Sequence, residues 1–203
     1  MATLVIATDA PLVDGPPQGR WTYADWEKLP ADDRRYEVIA GVLYRNTAPS
    51  YFHQYIILQL VRYIGIPAED QRLARIGFAP IGVLMPGCDP VQPDFVVVLA
   101  AHAALIHDRR IHGTPDLIVE ILSPSNRAYD EQVKLQAYAR AGVPEYATVD
   151  PAAQVLRHYR LNPAGSYAPP EVYGRTQSMG FDCLPGLVLP VGELFAGAQD
   201  RTA

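Results

Sequence analysis

The sequence predicts an α/β chain, more closely an α+β arrangement on one mixed sheet. Three observations carry this. QPDFVVVLA and PDLIVEIL are short, nearly continuous β-branched runs, the pattern of strands covered on both faces. A single helical stretch, SPSNRAYDEQVKLQAYARAG, separates PDLIVEIL from a third run, PEYATVD. A strand–helix–strand crossover favours parallel, right-handed pairing of those two strands.

The elements follow in order. Residues 1–20 hold Pro11, Pro16 and Pro17 among turn residues, which predicts a flexible N-terminal arm. Residues 21–198 then make one domain, as expected for a chain of 203 residues. Thr22 caps a short helix at ADWEKL. RRYEVIAGVLYRN reads as an N-terminal hairpin turning at Ala40-Gly41. SYFHQYIILQLVRYI has helical length, is apolar on most sides and so predicts a buried helix, stopped by Gly65 and Pro67. LARIGFAPIGVLMP reads as one strand with a bulge. AHAALIHDRRIHG is too mixed for more than a loop with a helical turn. Gly142 stops the crossover helix. AAQVLRHYRL and SYAPPEVYG predict a C-terminal β meander, and FDCLPGLVLPVGELF closes the domain. The core order is helix-strand-strand-strand-helix-strand.

Composition excludes several classes. Hydrophobic residues make up 49%, enough for a sizeable core. A net charge of -5 argues against nucleic-acid binding by bulk positive field, though a local rim of Arg72, Arg75, Arg109, Arg110 and Arg127 is a candidate. Cys88 and Cys183 support neither a disulfide framework nor a zinc knuckle. No basic region precedes the first apolar run, and no stretch has membrane-spanning length, so a cytoplasmic protein without membrane contact is expected.

Two carboxylates stand where strands want apolar residues. Asp94 opens FVVVLA, and Glu120 shares a strand face with Ile118 and Leu122. An ionised carboxylate buried without a partner costs several kcal/mol, so a side-chain cation or a bound metal must compensate. Asp130 and Lys134 lie four apart on the following helix and so share a face. A short loop brings that helix back onto the strand of Glu120. Glu37 is a further carboxylate flanked by apolar residues. Oxygen-rich sites suit magnesium or manganese, and such a site with a lysine suits metal-assisted phosphodiester hydrolysis. No phosphate-cradling glycine loop occurs. Ser123 and Ser125 read as cap and turn residues. His53 stands on a largely apolar helix. His102, His107 and His112 recur every five residues, matching neither a helix face nor a zinc pattern.

The strings RYEVIAGVLY, His53-Gln54, VQPDFVVV and GTPDLIVEILSPSNRAYDEQVKLQAYARAGVPEYATVDP resemble the Uma-type restriction endonuclease family of the PD-(D/E)XK nuclease superfamily. The resemblance covers residues 20–195. It implies a restriction endonuclease-like core and a magnesium- or manganese-dependent endonuclease acting on DNA. It implies Asp94 and Glu120 as metal ligands, with Glu37 and the Ile121 backbone carbonyl completing the site. Lys134 becomes the catalytic lysine, moved onto the helix because Leu122 stands where the superfamily places it. Asp130 and His53 are accessory candidates. Asp94 matches the pattern better than Asp116, which also follows a proline. Apolar hairpins and sheet edges suggest a homodimer. Two alternatives stand beside this reading: a catalytically inactive DNA-binding or protein-interaction module on the same fold, and a metal-dependent hydrolase of small phosphorylated substrates.

Overall fold

The computed structural model describes residues 13–30, 35–46, 49–124 and 126–197. Helix α1 (Tyr23–Trp26) starts at Thr22, whose hydroxyl accepts from Asp25 N–H while the Asp25 carboxylate accepts from Thr22 N–H. Strands β1 (Arg35–Ile39) and β2 (Val42–Asn46) form the expected hairpin. Its turn residues Ala40 and Gly41 have φ of 50° and 74°, the left-handed pair that matches strand twist. A Cβ on Gly41 would stand 2.6 Å from the Gly19 carbonyl oxygen. Gly19 and Trp21 both donate to the Gly41 carbonyl, and Gln18 bonds both the N–H and the C=O of Leu43. The end of the arm is fastened to the hairpin; residues 1–12 lie outside the described residues.

Ser50 accepts from His53 N–H and starts α2 (Tyr51–Leu60). The helix does not stop at Gly65 and Pro67 as expected. It passes through a π turn (Val61–Gly65) into α3 (Ile66–Asp70). The π turn closes from Ile66 N–H to Val61 O, and Pro67 then falls in the first turn of α3, where its missing N–H costs nothing. Nor is the helix buried all round. Ile56, Leu60 and Ile64 are buried, whereas Tyr51 and Leu58 are exposed.

The expected single strand over residues 73–86 is two strands, β3 (Ala74–Phe78) and β4 (Gly82–Met85), in different sheets. Pro80, between them, has no N–H for a ladder. Next come β5 (Cys88–Val91), β6 (Phe95–Leu99), a 3-10 turn at Ala100–Leu105, β7 (Arg110–His112) and β8 (Leu117–Ile121). Ser123 Oγ accepts from Asn126 N–H at the start of the crossover; Ser125 lies outside the described residues. The crossover helix comprises a π turn (Tyr129–Lys134) and α4 (Leu135–Ala141), ended by Gly142 at φ 84°. Strands β9 (Glu145–Asp150), β10 (Val155–Arg160) and β11 (Glu171–Gly174) form the meander. Short strands β12 (Ser178–Met179) and β13 (Leu189–Pro190) lie in the tail.

The main sheet has the order β11-β10-β9-β8-β6-β3. Only β8 and β9 are parallel in it, which makes it mixed, as the crossover predicts. Strand β8 is wholly buried, and each such aliphatic side chain contributes about 1.5–3 kcal/mol. One face packs on α2, α3 and the tail, through Phe95, Val97, Leu117 and Val119 against Phe52, Ile56, Leu184 and Leu194. The other face, through Val96, Val98 and Ile118, packs on the crossover helix and on a second sheet, β2-β1-β5-β4-β7. The sequence offers no sign of this second sheet beyond its hairpin.

Candidate active site

Register places the two anomalous acids. Strands β6 and β8 run antiparallel with Phe95 opposite Val119, so one residue further sets Asp94 opposite Glu120. Residues directly opposite share a face. Val96 and Ile118, two residues back on each strand, pack with Ala137 and Tyr138. Asp94 and Glu120 therefore lie on the side of the crossover helix. Asp94 Oδ2 accepts from Ile121 N–H at 2.8 Å and stands 3.0 Å from His53 Nε2, which must donate because a carboxylate only accepts.

The helix supplies the cation. Lys134 Nζ stands 2.9 Å from Glu120 Oε1, 3.3 Å from Glu37 Oε1 and 3.6 Å from Asp130 Oδ1. Glu37 arrives from β1 of the second sheet. Its Oε1 accepts from Gln92 N–H at 2.5 Å, and its Oε2 accepts from Tyr129 OH at 3.0 Å. Tyr138 OH donates to Glu120 Oε1 at 2.7 Å. Four carboxylates and one ammonium meet here, none more than 7% exposed.

The acids outnumber the ammonium, and burial shifts their protonation. Burial, reinforced by the charges of Asp94, Asp130 and Glu37, pushes Glu120 well above the usual carboxylate range against the pull of Lys134. Burial and neighbouring acids likewise push Asp130 up to about 8. Burial also acts on Asp94, yet His53, Lys134 and the Ile121 N–H hold it below the ordinary value. Burial alone would lower Lys134; the surrounding acids raise it well above the lysine range, so it stays charged. Among the described residues, neither Asp94 Oδ1 nor Glu120 Oε2 receives a hydrogen bond. Also among them, no three acid, imidazole or thiol groups form a ready-made metal cage. The donor set nevertheless fits a hard divalent cation: it is all oxygen, and two of its oxygens face no donor among the described residues.

Every residue singled out in the sequence as a catalytic, ligand or accessory candidate converges here, with Ile121 entering through its N–H. Asp116 does not. It sits at the opposite end of β8, held by Leu99 N–H and by His102 Nδ1 at 2.8 Å. Of the candidate arginines, Arg75 pairs with Glu69, Arg110 with Glu27 and Arg127 with Asp150. Sequence reading missed Gln92, Tyr129 and Tyr138. Tyr138 is four residues beyond Lys134, so the spacing that joined Asp130 to Lys134 could have found it. Tyr129 lies five residues before Lys134, and only the π turn brings its ring within 5.2 Å of the Nζ.

The mixed sheet, its parallel crossover and the acids near adjoining strand ends agree with a restriction endonuclease-like core. Residues 22–192 match the Uma2 family, described as "Putative restriction endonuclease", and the chain belongs to that family. Among solved structures it resembles a "putative nuclease belonging to DUF820" from Anabaena variabilis, with a TM-score of 0.73 and 22% identity over 86% of this chain and 97% of that one. It also aligns with the type IIG restriction endonuclease BpuSI, at 12% identity and a TM-score of 0.39, over 74% of this chain and 17% of that one. No curated protein matches. Among the described residues no helix is long and apolar enough to cross a membrane.

Proposed function

We propose that the chain is a magnesium- or manganese-dependent DNA endonuclease, working as a homodimer. One observation carries this reading: Asp94, one residue before β6, and Glu120 on the neighbouring β8 each have one oxygen tied to protein donors and the other facing none among the described residues. Asp94, Glu120, Glu37 and the Ile121 carbonyl would hold the ion. A divalent cation there supplies water acidified toward neutral pH and charge stabilisation at a phosphoryl oxygen.

The chain's own groups do the rest. His53 and the Ile121 N–H fix Asp94. Tyr138 fixes Glu120, and Tyr129 with the Gln92 N–H fixes Glu37. Lys134, kept charged by its acids, offers an ammonium to the charge that develops on the phosphate. Low exposure of all five groups keeps bulk water out and strengthens each electrostatic contact.

The test is plasmid nicking by purified protein with magnesium or manganese, beside Glu120→Gln and Lys134→Met. Cleavage lost in both variants supports the assignment. Cleavage kept in both overturns it. A folded wild-type protein that binds manganese and never cleaves DNA or small phosphodiesters belongs to the inactive-module reading, which the absent lysine at Leu122 favours.

A further inference from the structure

Three of the five histidines spend a ring nitrogen on a carboxylate: His53 on Asp94, His102 on Asp116 and His158 on Glu145. His107 and His112 do not. Both are exposed, and among the described residues neither imidazole has a hydrogen-bond or ion-pair partner. Instead their rings are close neighbours, with centroids 4.5 Å apart and planes tilted by 43°.

The backbone sets this up. His107 N–H donates to the Arg110 carbonyl at 2.8 Å, closing a tight turn, and Ile106 bridges Ile111 across it. His107 and His112 each follow one member of that bridged pair, so both project from the opposite face as diagonal neighbours. Strand β7 is in turn paired with β4, Leu84 against His112, and Gly113 N–H donates to the Leu84 carbonyl at 2.8 Å. The nearest cationic groups in sequence are Arg109, which is exposed, and Arg110. The Arg110 guanidinium is already engaged, over the rings of Tyr23 and Trp26 at 5.0 and 5.2 Å and 3.7 Å from Glu27. Asp108 lies within the turn.

We propose that His107 and His112 form a two-imidazole site for a late first-row divalent cation, copper(II) or nickel(II). With a nitrogen–metal bond of about 2.0–2.1 Å, each ring centre lies about 3.2 Å from the ion. Centroids 4.5 Å apart then subtend about 90° at the metal, the cis angle of tetragonal and octahedral ions. Tetrahedral zinc would set the centroids about 5.2 Å apart. Water completes the coordination. Strand β7 is the outer edge of the second sheet, with β4 and β5 between it and the strand of Glu37. The two sites thus sort ions by donor chemistry: imidazole at the edge, carboxylate at the centre.

The experiment titrates tag-free protein with copper(II) and nickel(II), followed by calorimetry and by the nitrogen hyperfine pattern of bound copper. His107→Gln and His112→Gln are run beside the wild type, with melting curves to show that they fold. Expected is one copper per chain bound through two nitrogens. Each substitution should remove one nitrogen and weaken binding by about tenfold or more, leaving manganese-supported cleavage unchanged. Variants that bind copper as tightly as the wild type, with the same spectrum, overturn the site.

Discussion

Two charged clusters in this molecule obey opposite arithmetic. At the end of β9, Asp150 receives Arg127 through two bonds of 2.7 and 2.8 Å and Arg157 at 3.3 Å, with Glu131 close to both arginines. Two acids meet two guanidiniums, and Asp150 is held down at about 2, chiefly by Arg127 working against its burial. At the centre, Lys134 stands within 3.6 Å of Glu37, Glu120 and Asp130, and Asp94 beside His53 feels the same ammonium. The first cluster is a balanced clasp that ties the crossover helix to the sheet. The second gathers four acids around one ammonium where burial makes their charge costly, and burial favours the protonated forms of Glu120 and Asp130. The rim cluster answers charge with charge, whereas the central one answers it in part by protonation, which the proposed divalent cation would replace.

The largest expected effect separates the two clusters by function. Glu120→Gln and Lys134→Met should each reduce cleavage by at least about 10²–10³-fold, while Asp150→Asn leaves the specific activity of folded protein near wild type. Urea unfolding should show the reverse for Asp150→Asn, a loss of about 1–3 kcal/mol.

Titration gives the next contrast. Asp130 and Glu120 have raised folded values, so the folded state holds protons that the unfolded state has released. Their contribution therefore weakens stability as pH rises from about 4 toward 8. Asp150 has a lowered value, so its contribution is full above the ordinary carboxylate range and is lost as pH falls toward 2. Melting curves without metal should decline between pH 5 and 8 by roughly a few degrees, and magnesium should flatten that slope. An unchanged slope with magnesium breaks the contrast.

Tyr138→Phe removes one donor to Glu120 and leaves the ring in place. Cleavage should fall by about tenfold with little loss of stability, because Lys134 still holds the same oxygen. Smallest is Arg157→Ala. It takes one partly exposed arginine from Asp150, which keeps the paired bonds of Arg127, and should cost about 0.5 kcal/mol with no change in cleavage.

Much of the site was legible because its residues break local rules. Asp94 and Glu120 are conspicuous as acids in aliphatic runs, and the i,i+4 pair Asp130–Lys134 needs only helical periodicity. The parallel pairing of β8 with β9 followed from one crossover. What stayed hidden depended on distant packing. That Glu37 would reach the same lysine required the second sheet, whose strands β4, β5 and β7 are too short to read. Tyr129 required a π turn, which leaves no mark in hydrophobic periodicity. The continuation of α2 past Pro67 was concealed for the same reason, since a wide turn excused a residue that ordinarily ends a helix.

The most direct measurement is manganese binding to the metal-free protein at neutral pH, by electron paramagnetic resonance, in wild type, Asp94→Asn and Glu120→Gln. The account predicts binding in the wild type and its loss in both variants while their folds persist. No binding at millimolar manganese, or equal binding in all three proteins, would contradict a centre built to hold a cation.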